Sequence, residues 1–388
     1  MHSELKRTWA EIDLDCLEYN YHKLKERIGK NCRFLGVVKA DAYGHGAVQV
    51  AKCLEALGAD YLAVSSLDEA MELRGKGIAM PILVLGHTPA DQVKNLIKYH
   101  VTQAVSCESK ALEYEAEAAK LGDRLKVHIK LDTGMSRLGF LCEGRHFDGG
   151  VEAVCRAVSL PHLDAEGIFT HFAVSDSMEE RDIAYTRRQF ALFMRVIRAV
   201  EASGFSFKIR HCANTGGVAN YPETYLDMVR PGLLLYGYGE EAKGLGLRPV
   251  MTLKSTVSTI KVYDEDTLIS YGGTWQTEEK TRMGVLPIGY ADGLFRCLSN
   301  RYSVMTAEGA APIRGRICMD MCMIDLSGKP GVDVGDEVVI FGDGNPIEAM
   351  ADVAGTIPYE LVCAVSKRVP RVFYRKGEIC EQELRILR

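Results

Sequence analysis

Lys39 closes an apolar run and is followed closely by glycines, in Phe34-Leu35-Gly36-Val37-Val38-Lys39-Ala40-Asp41-Ala42-Tyr43-Gly44-His45-Gly46. Four of the five residues before it are large and apolar. That is too many for a strand with one wet face, so the run predicts a strand buried on both sides, as in a parallel sheet. An ammonium group held where buried sheet meets loop can be desolvated, lose its proton and attack a carbonyl. A lysine alone in that place more often snorkels to solvent, so its neighbours decide. Other chemically capable residues also follow apolar runs: Lys130-Leu131-Asp132-Thr133-Gly134-Met135-Ser136-Arg137, His171, Asn214-Thr215-Gly216-Gly217 and Arg230-Pro231-Gly232. Taken singly, His171 reads as a satisfied core histidine, Arg137 as a loop salt bridge and Thr215-Gly216-Gly217 as a turn. Together they outline one site.

The elements that must position them alternate. Apolar runs at Phe34–Lys39, Tyr61–Ser65, Ile82–Gly86, Gln103–Ser106, Lys126–Leu131, Gly167–His171, Lys208–Cys212 and Met228–Tyr236 read as strands. Helical periodicity fills several intervals, as at Ala47–Ala56 and Thr186–Ala202. Eight strands alternating with helices predict an α/β fold of the (β/α)8 TIM-type barrel kind. An open doubly wound sheet would carry Gly-x-Gly-x-x-Gly after its first strand, and Gly44-His45-Gly46 lacks the third glycine. In a barrel, chemistry gathers at the C-terminal strand ends. The hydroxyl and glycine groups at Thr215 and Gly232 let backbone amides approach a phosphate. A phosphate site after strands seven and eight, with a reactive lysine on strand one, suits pyridoxal 5′-phosphate.

After about residue 240 the texture changes. Val250–Tyr263, Met283–Ile288, Ala311–Leu326 and Glu337–Phe341 alternate or run β-branched between Gly, Pro and Asp, with one helix near Pro358–Lys367. The chain therefore divides into a barrel at residues 12–240 and a mostly β domain made of residues 1–11 and 241–388. Thr8–Leu14 alternates like a strand and is expected to pair with that second domain.

A length of 388 residues favours two domains. With 47 basic against 52 acidic residues the net charge is −5, and no long basic run suggests nucleic acid. The first nine residues lack a signal-type apolar stretch, and no run nears the ~18 apolar residues of a membrane span. A cytoplasmic protein is expected. The 12 cysteines are scattered, mostly in apolar runs; Cys318 and Cys322 lie close, but no histidine follows His211. No metal site is expected.

Over essentially its whole length the chain resembles the bacterial alanine racemases, pyridoxal-phosphate enzymes of fold type III. The resemblance rests on the Lys39 segment, Asp132–Gly139, Thr170-His171-Phe172-Ala173, Ala213-Asn214-Thr215 and Val229-Arg230-Pro231-Gly232. The second domain adds Ser270-Tyr271-Gly272, Gly289-Tyr290-Ala291-Asp292-Gly293, Gly315-Arg316-Ile317-Cys318-Met319-Asp320 and Ile357-Pro358-Tyr359-Glu360.

The resemblance implies racemisation of alanine by two bases, supplying D-alanine for peptidoglycan. Lys39 would hold the cofactor covalently and serve one face of the substrate. Tyr271 would serve the other from a partner subunit, implying a head-to-tail homodimer with shared sites. A phenol needs help to act as a base near neutrality, and the family's route is a hydrogen bond to a histidine, here His171, itself tied to Arg230. Arg230 would meet the pyridine nitrogen, which a guanidinium leaves unprotonated. That favours proton return over transamination and argues against the related decarboxylases, which place an acid there. Tyr43, Thr215 (usually serine), Gly232, Leu233 and Tyr359 match phosphate contacts, and Leu85, His171 and Asn214 complete the cofactor set. Arg137 would contact the cofactor's phenolic oxygen and the substrate carboxylate, which Met319 would meet through its backbone amide. Lys130 matches a lysine carbamylated in some members, and Arg296, Arg316 and Asp320 would line the entrance. Gly273 and Trp275 depart from the usual alanine and smaller aromatic residue. A cofactor carrier without turnover would lack the second domain and Tyr271.

Overall fold

The computed structural model describes residues 7–384. Residues 1–6 and 385–388, assigned above to the second domain, lie outside the described residues, as does most of the segment read as lacking a signal stretch. Eight parallel strands form a nearly closed barrel in the order Met228–Val229, Arg33–Val37, Tyr61–Val64, Ile82–Val84, Val101–Val105, Leu125–Asp132, Leu163–Phe169 and Ile209–His211. The ends of that order lie side by side. Asp227 donates its N–H to the Arg210 carbonyl at 3.1 Å, and Arg230 donates to the Ala213 carbonyl at 2.9 Å. Parallel neighbours need crossovers, which helices such as Ala47–Ala56 and Glu180–Ala202 supply. Four of the five residues of Arg33–Val37 are buried, as expected of a strand covered on both faces.

One expected strand is corrected. Met228–Tyr236 is extended only at Met228–Val229, and Leu233–Tyr236 is a 3-10 turn. Pro231 has no N–H for a ladder, and Gly232 turns the chain at φ −65° and ψ −96°. The apolar Leu233–Tyr236 segment is still fully buried, which is why its composition reads as strand. Tyr236 donates its hydroxyl to the Val37 carbonyl at 2.8 Å, covering the end of the first barrel strand. Other strands end one or two residues short of their expected ends, and two of these bear on the site: Arg33–Val37 leaves Lys39 two residues beyond it, and Leu163–Phe169 leaves His171 two residues beyond.

The rest of the chain is mostly β. A seven-stranded sheet runs Gly309–Pro312, Ser303–Thr306, Glu337–Phe341, Met251–Thr256, Thr8–Asp13, Arg371–Arg375, Glu378–Glu383. The opening strand Thr8–Asp13 sits inside it, antiparallel to Met251–Thr256 and parallel to Arg371–Arg375. Its last residue, Asp13, accepts from the N–H groups of Asp15 and Cys16 and so caps the helix Leu14–Ile28 of the barrel. A three-stranded sheet, Thr259–Tyr263, Thr281–Leu286 and Cys322–Asp325, lies beyond, and the ribbon Leu268–Ile269 with Trp275–Gln276 carries Tyr271 in its turn. The late helix is Pro358–Ala364. One continuous cluster of buried side chains joins both regions, from Phe34 to Phe341 and Phe373. Among the described residues no helix is long and apolar enough to cross a membrane.

Candidate active site

Past the first barrel strand the backbone turns left-handed for four residues: Ala40, Asp41, Ala42 and Tyr43 have φ of 51°, 58°, 53° and 52°. Each costs an L-residue about 1 kcal/mol or more, so the surroundings must hold the turn. Asp41 Oδ1 accepts from the Ala47 N–H at 2.8 Å, Ala40 donates its N–H to Glu69 Oε1 at 2.7 Å, and buried His45 places Nδ1 2.9 Å from the Ala42 and Tyr43 carbonyls. Arg371 Nε donates to the Gly44 carbonyl at 3.0 Å. The result is that Lys39 and Tyr43 line one cavity.

That cavity has a volume of about 300 Å³ and lies at the C-terminal rim of the barrel. Leu85, Arg137, His171, Asn214, Thr215, Arg230, Gly232 and Tyr359 all line it, along with Lys130. Leu233 is buried directly behind Gly232. At one end the backbone is bare at Gly232: a Cβ there would lie 2.9 Å from the Tyr43 hydroxyl and 3.3 Å from Thr215 Oγ1. With the nearby Tyr359 ring, whose centroid is 5.9 Å from that of Tyr43, this end offers three hydroxyls and an unscreened backbone. That set of groups suits a phosphate.

Arg230 lies within the barrel at 4% exposure. Its Nη1 donates to His211 Nδ1 at 2.9 Å, and Nη2 donates to the Thr170 carbonyl at 2.7 Å and the Cys212 carbonyl at 3.3 Å. The tie expected between Arg230 and His171 is absent from these bonds. His171 instead places Nε2 3.5 Å from Asn214 Nδ2, and its carbonyl accepts from Gln189 Nε2 at 3.3 Å. Asn214 is in turn fixed as the cap of Thr215–Asn220, its Oδ1 accepting from the Gly217 N–H at 3.2 Å.

Charge in the cavity is positive and poorly hydrated. Burial, helped by the Arg137 guanidinium, lowers Lys39 below the ordinary lysine range. Burial and the Arg137 charge lower Lys130 to about 8. Burial and Arg230 hold His171 well below its usual value, so its imidazole is neutral. A lysine that sheds its proton readily, beside a neutral imidazole, an arginine pair and a phosphate-shaped pole, fits pyridoxal 5′-phosphate.

Besides buried Leu233, the two site residues expected from the second domain, Tyr271 and Met319, do not line the cavity. Tyr271 is 70% exposed and Met319 is 53% exposed, both in the β region. Their loops are joined, since Ser270 Oγ donates to the Arg316 carbonyl at 2.7 Å. The Arg316 guanidinium lies over Gly272, 3.1 Å from where a Cβ would stand, and Asp320 accepts from Arg368 Nη2 at 2.6 Å. Residues missed from sequence are Phe169, His211 and Glu69. His211 ends an apolar run as His171 nearly does, and that placement was the available signal. Glu69 lies on a helix and bonds back to the lysine turn, which no spacing reveals.

The family model described as alanine racemase, N-terminal domain, matches residues 12–240, and that described as alanine racemase, C-terminal domain, matches residues 250–373. The chain is 44% identical over 388 residues to the alanine racemase of Clostridium tetani, with 98% of each covered. Among solved structures, the alanine racemase of Clostridium difficile 630 is 37% identical and superposes with a TM-score of 0.92 over 97% of this chain and 98% of that one. A complex of that enzyme with cycloserine, 36% identical, gives 0.90 with the same coverage.

Proposed function

Because the chain belongs to the alanine racemase family and is an isomerase that interconverts L- and D-alanine, we propose that it uses two bases, Lys39 and Tyr271, around a bound pyridoxal 5′-phosphate. When bound, the cofactor supplies a carbonyl for an amine to join and a conjugated ring that spreads the charge left when the α-proton departs. Racemisation then needs one base on each face of the α-carbon. Lys39 Nζ, with its depressed proton affinity, takes or returns the proton on one face. Tyr271 Oη does so on the other.

Tyr271 and Met319 are exposed and tied into one unit, which supports their serving the cavity of a second copy in a head-to-tail homodimer. Arg137, at the cavity mouth, orients the substrate carboxylate together with the Met319 amide. Tyr43, Thr215, Gly232 and Tyr359 hold the phosphate. Arg230, whose hydrogen-bond partners are neutral acceptors, would meet the ring nitrogen without giving it a proton, which disfavours a decarboxylase. The division into residues 12–240 and residues 1–11 plus 241–388, a cytoplasmic location and supply of D-alanine to peptidoglycan belong to the same reading.

The observation that carries it is the convergence of Lys39, Arg230 and the Tyr43–Thr215–Gly232 pole on one cavity. The test follows L-alanine in D2O with the cofactor-loaded protein, reading optical rotation and the α-proton signal. Loss of rotation with deuterium at Cα supports the two-base route; rotation lost with the α-proton fully retained refutes it.

A further inference from the structure

Beneath Arg230 runs a line of buried polar side chains that the reaction above does not use. A guanidinium has only donors, so His211 Nδ1, 2.9 Å from Arg230 Nη1, carries no proton. Burial beside Arg230 keeps His211 neutral; its proton is therefore on Nε2. That nitrogen lies 2.9 Å from His128 Nδ1, which must accept. Burial keeps His128 neutral as well, so its own proton sits on Nε2. This nitrogen faces the Glu166 carboxylate at 3.6 Å and has no nearer partner. Glu166 in turn accepts from the Tyr61 hydroxyl at 2.9 Å and from Lys126 Nζ at 3.2 Å. The donor-to-acceptor direction is thus single from Arg230 through His211 to His128, whose Nε2–H is turned toward the Glu166 charge 3.6 Å away.

The line occupies a built channel. A Cβ at Gly167 would stand 2.8 Å from three ring atoms of His128, so only glycine leaves room for that imidazole. The strand register shifts between Val127 and His128, at the same place. Phe169 stacks on His211 at 4.8 Å with planes 10° apart, which holds that ring in one plane. Three of the five N–H groups of Arg230 are committed to His211 and the two carbonyls. The Nε–H and one Nη1–H remain for the cavity.

We propose that His128 and Glu166 are positioning residues for Arg230. The Glu166 charge, 3.6 Å away, favours the His128 tautomer protonated on Nε2, His128 fixes that of His211, and His211 fixes which N–H groups of Arg230 would meet the cofactor's ring nitrogen. The inference rests on the pyridoxal phosphate reading of the site. With the line broken, His211 can turn a donor toward Arg230, the guanidinium moves away, and water can protonate the ring nitrogen. A protonated ring draws more charge from the substrate and so favours transamination. In that side reaction alanine is oxidised by two electrons to pyruvate, while its nitrogen stays on the cofactor, whose aldehyde carbon is reduced to an aminomethyl group.

The experiment loads wild type, His128→Phe, His128→Asn and Glu166→Gln with cofactor and measures pyruvate formed per racemisation turnover. The absorption maximum and dissociation constant of the bound cofactor are recorded alongside. His128→Phe and Glu166→Gln should raise the pyruvate ratio about tenfold or more. His128→Asn, whose Oδ1 replaces the Nδ1 acceptor, should return it to within about twofold of wild type. An unchanged ratio in His128→Phe and Glu166→Gln with cofactor bound overturns the proposal. Glu166→Gln alone decides if His128→Phe does not fold. A wild type that binds no cofactor would instead remove the site reading, before any variant is compared.

Discussion

Ser270 Oγ donates to the Arg316 carbonyl at 2.7 Å, and this bond couples the turn of Tyr271 to the loop of Met319. Gly315 packs against the same turn, where a Cβ would lie 2.7 Å from the Ile269 carbonyl oxygen. The proposed second base and the proposed carboxylate contact therefore sit on joined loops of the β region, outside the lining of their own chain's cavity.

If those loops complete a partner's site, two dead variants should rescue each other. Lys39→Ala lacks one base and Tyr271→Phe the other. Random re-pairing of an equal mixture makes half the dimers mixed, and each mixed dimer carries one intact site. About a quarter of wild-type activity should return after mixing and re-association. Activity that stays at the level of the separate variants would mean that each chain works alone. Tyr271→Phe by itself should keep the cofactor while losing about 10²-fold or more in turnover.

Gly232 bares the backbone at the end of the cavity proposed to hold the phosphate. In Gly232→Ala the new methyl would stand 2.9 Å from the Tyr43 hydroxyl, displacing it at a cost on the order of 1–3 kcal/mol. Cofactor affinity should weaken by about tenfold or more, read by titrating apoprotein with pyridoxal phosphate. An unaltered dissociation constant would place the phosphate elsewhere.

Lys130 sets a dependence on pH and carbon dioxide. Burial and the Arg137 charge lower it to about 8, so its free amine makes up about a tenth of the group at pH 7 and about nine-tenths at pH 9. Only the free amine adds CO2, releasing a proton as the carbamate forms. Carbamate at Lys130 should therefore rise with pH across this window, seen as a carbon-13 signal from labelled bicarbonate that Lys130→Met lacks. In CO2-free buffer the folded protein binds fewer protons here than the unfolded chain does. Stability should thus increase as pH rises from about 8, and Lys130→Met should flatten that increase.

The barrel was legible because both-face burial writes itself as unbroken apolar runs; Phe34–Val38 and Tyr61–Val64 needed nothing more. Legibility failed where composition and backbone part company. Leu233–Tyr236 is as apolar as any strand, yet Pro231 and Gly232 fold it into a turn. His128 and Glu166 sit inside strands, and nothing in their spacing distinguishes a directed hydrogen-bond line from core filling. Lys39, Arg137, His171, Thr215 and Arg230 were legible as polar residues that follow apolar runs, the family motifs added Leu85 and Tyr359, and the cavity gathers all of these but not Leu233. The Arg230–His171 bond did not follow, because Arg230 turns to His211 instead.

The left-handed turn after Lys39 bears on whether the barrel is a separable module. Its four strained residues carry about 4 kcal/mol or more, a sizeable part of the whole stability of a typical domain. Part of what restrains them comes from the other end of the chain: Arg371 grips the Gly44 carbonyl, and the Val362 carbonyl oxygen presses against Gly44 so closely that a Cβ would stand 2.2 Å away. A barrel cut free of those contacts would let the segment relax and carry its lysine out of place. A barrel of this kind that works without a β companion therefore needs some other clasp in the place that Arg371 and Val362 take at Gly44.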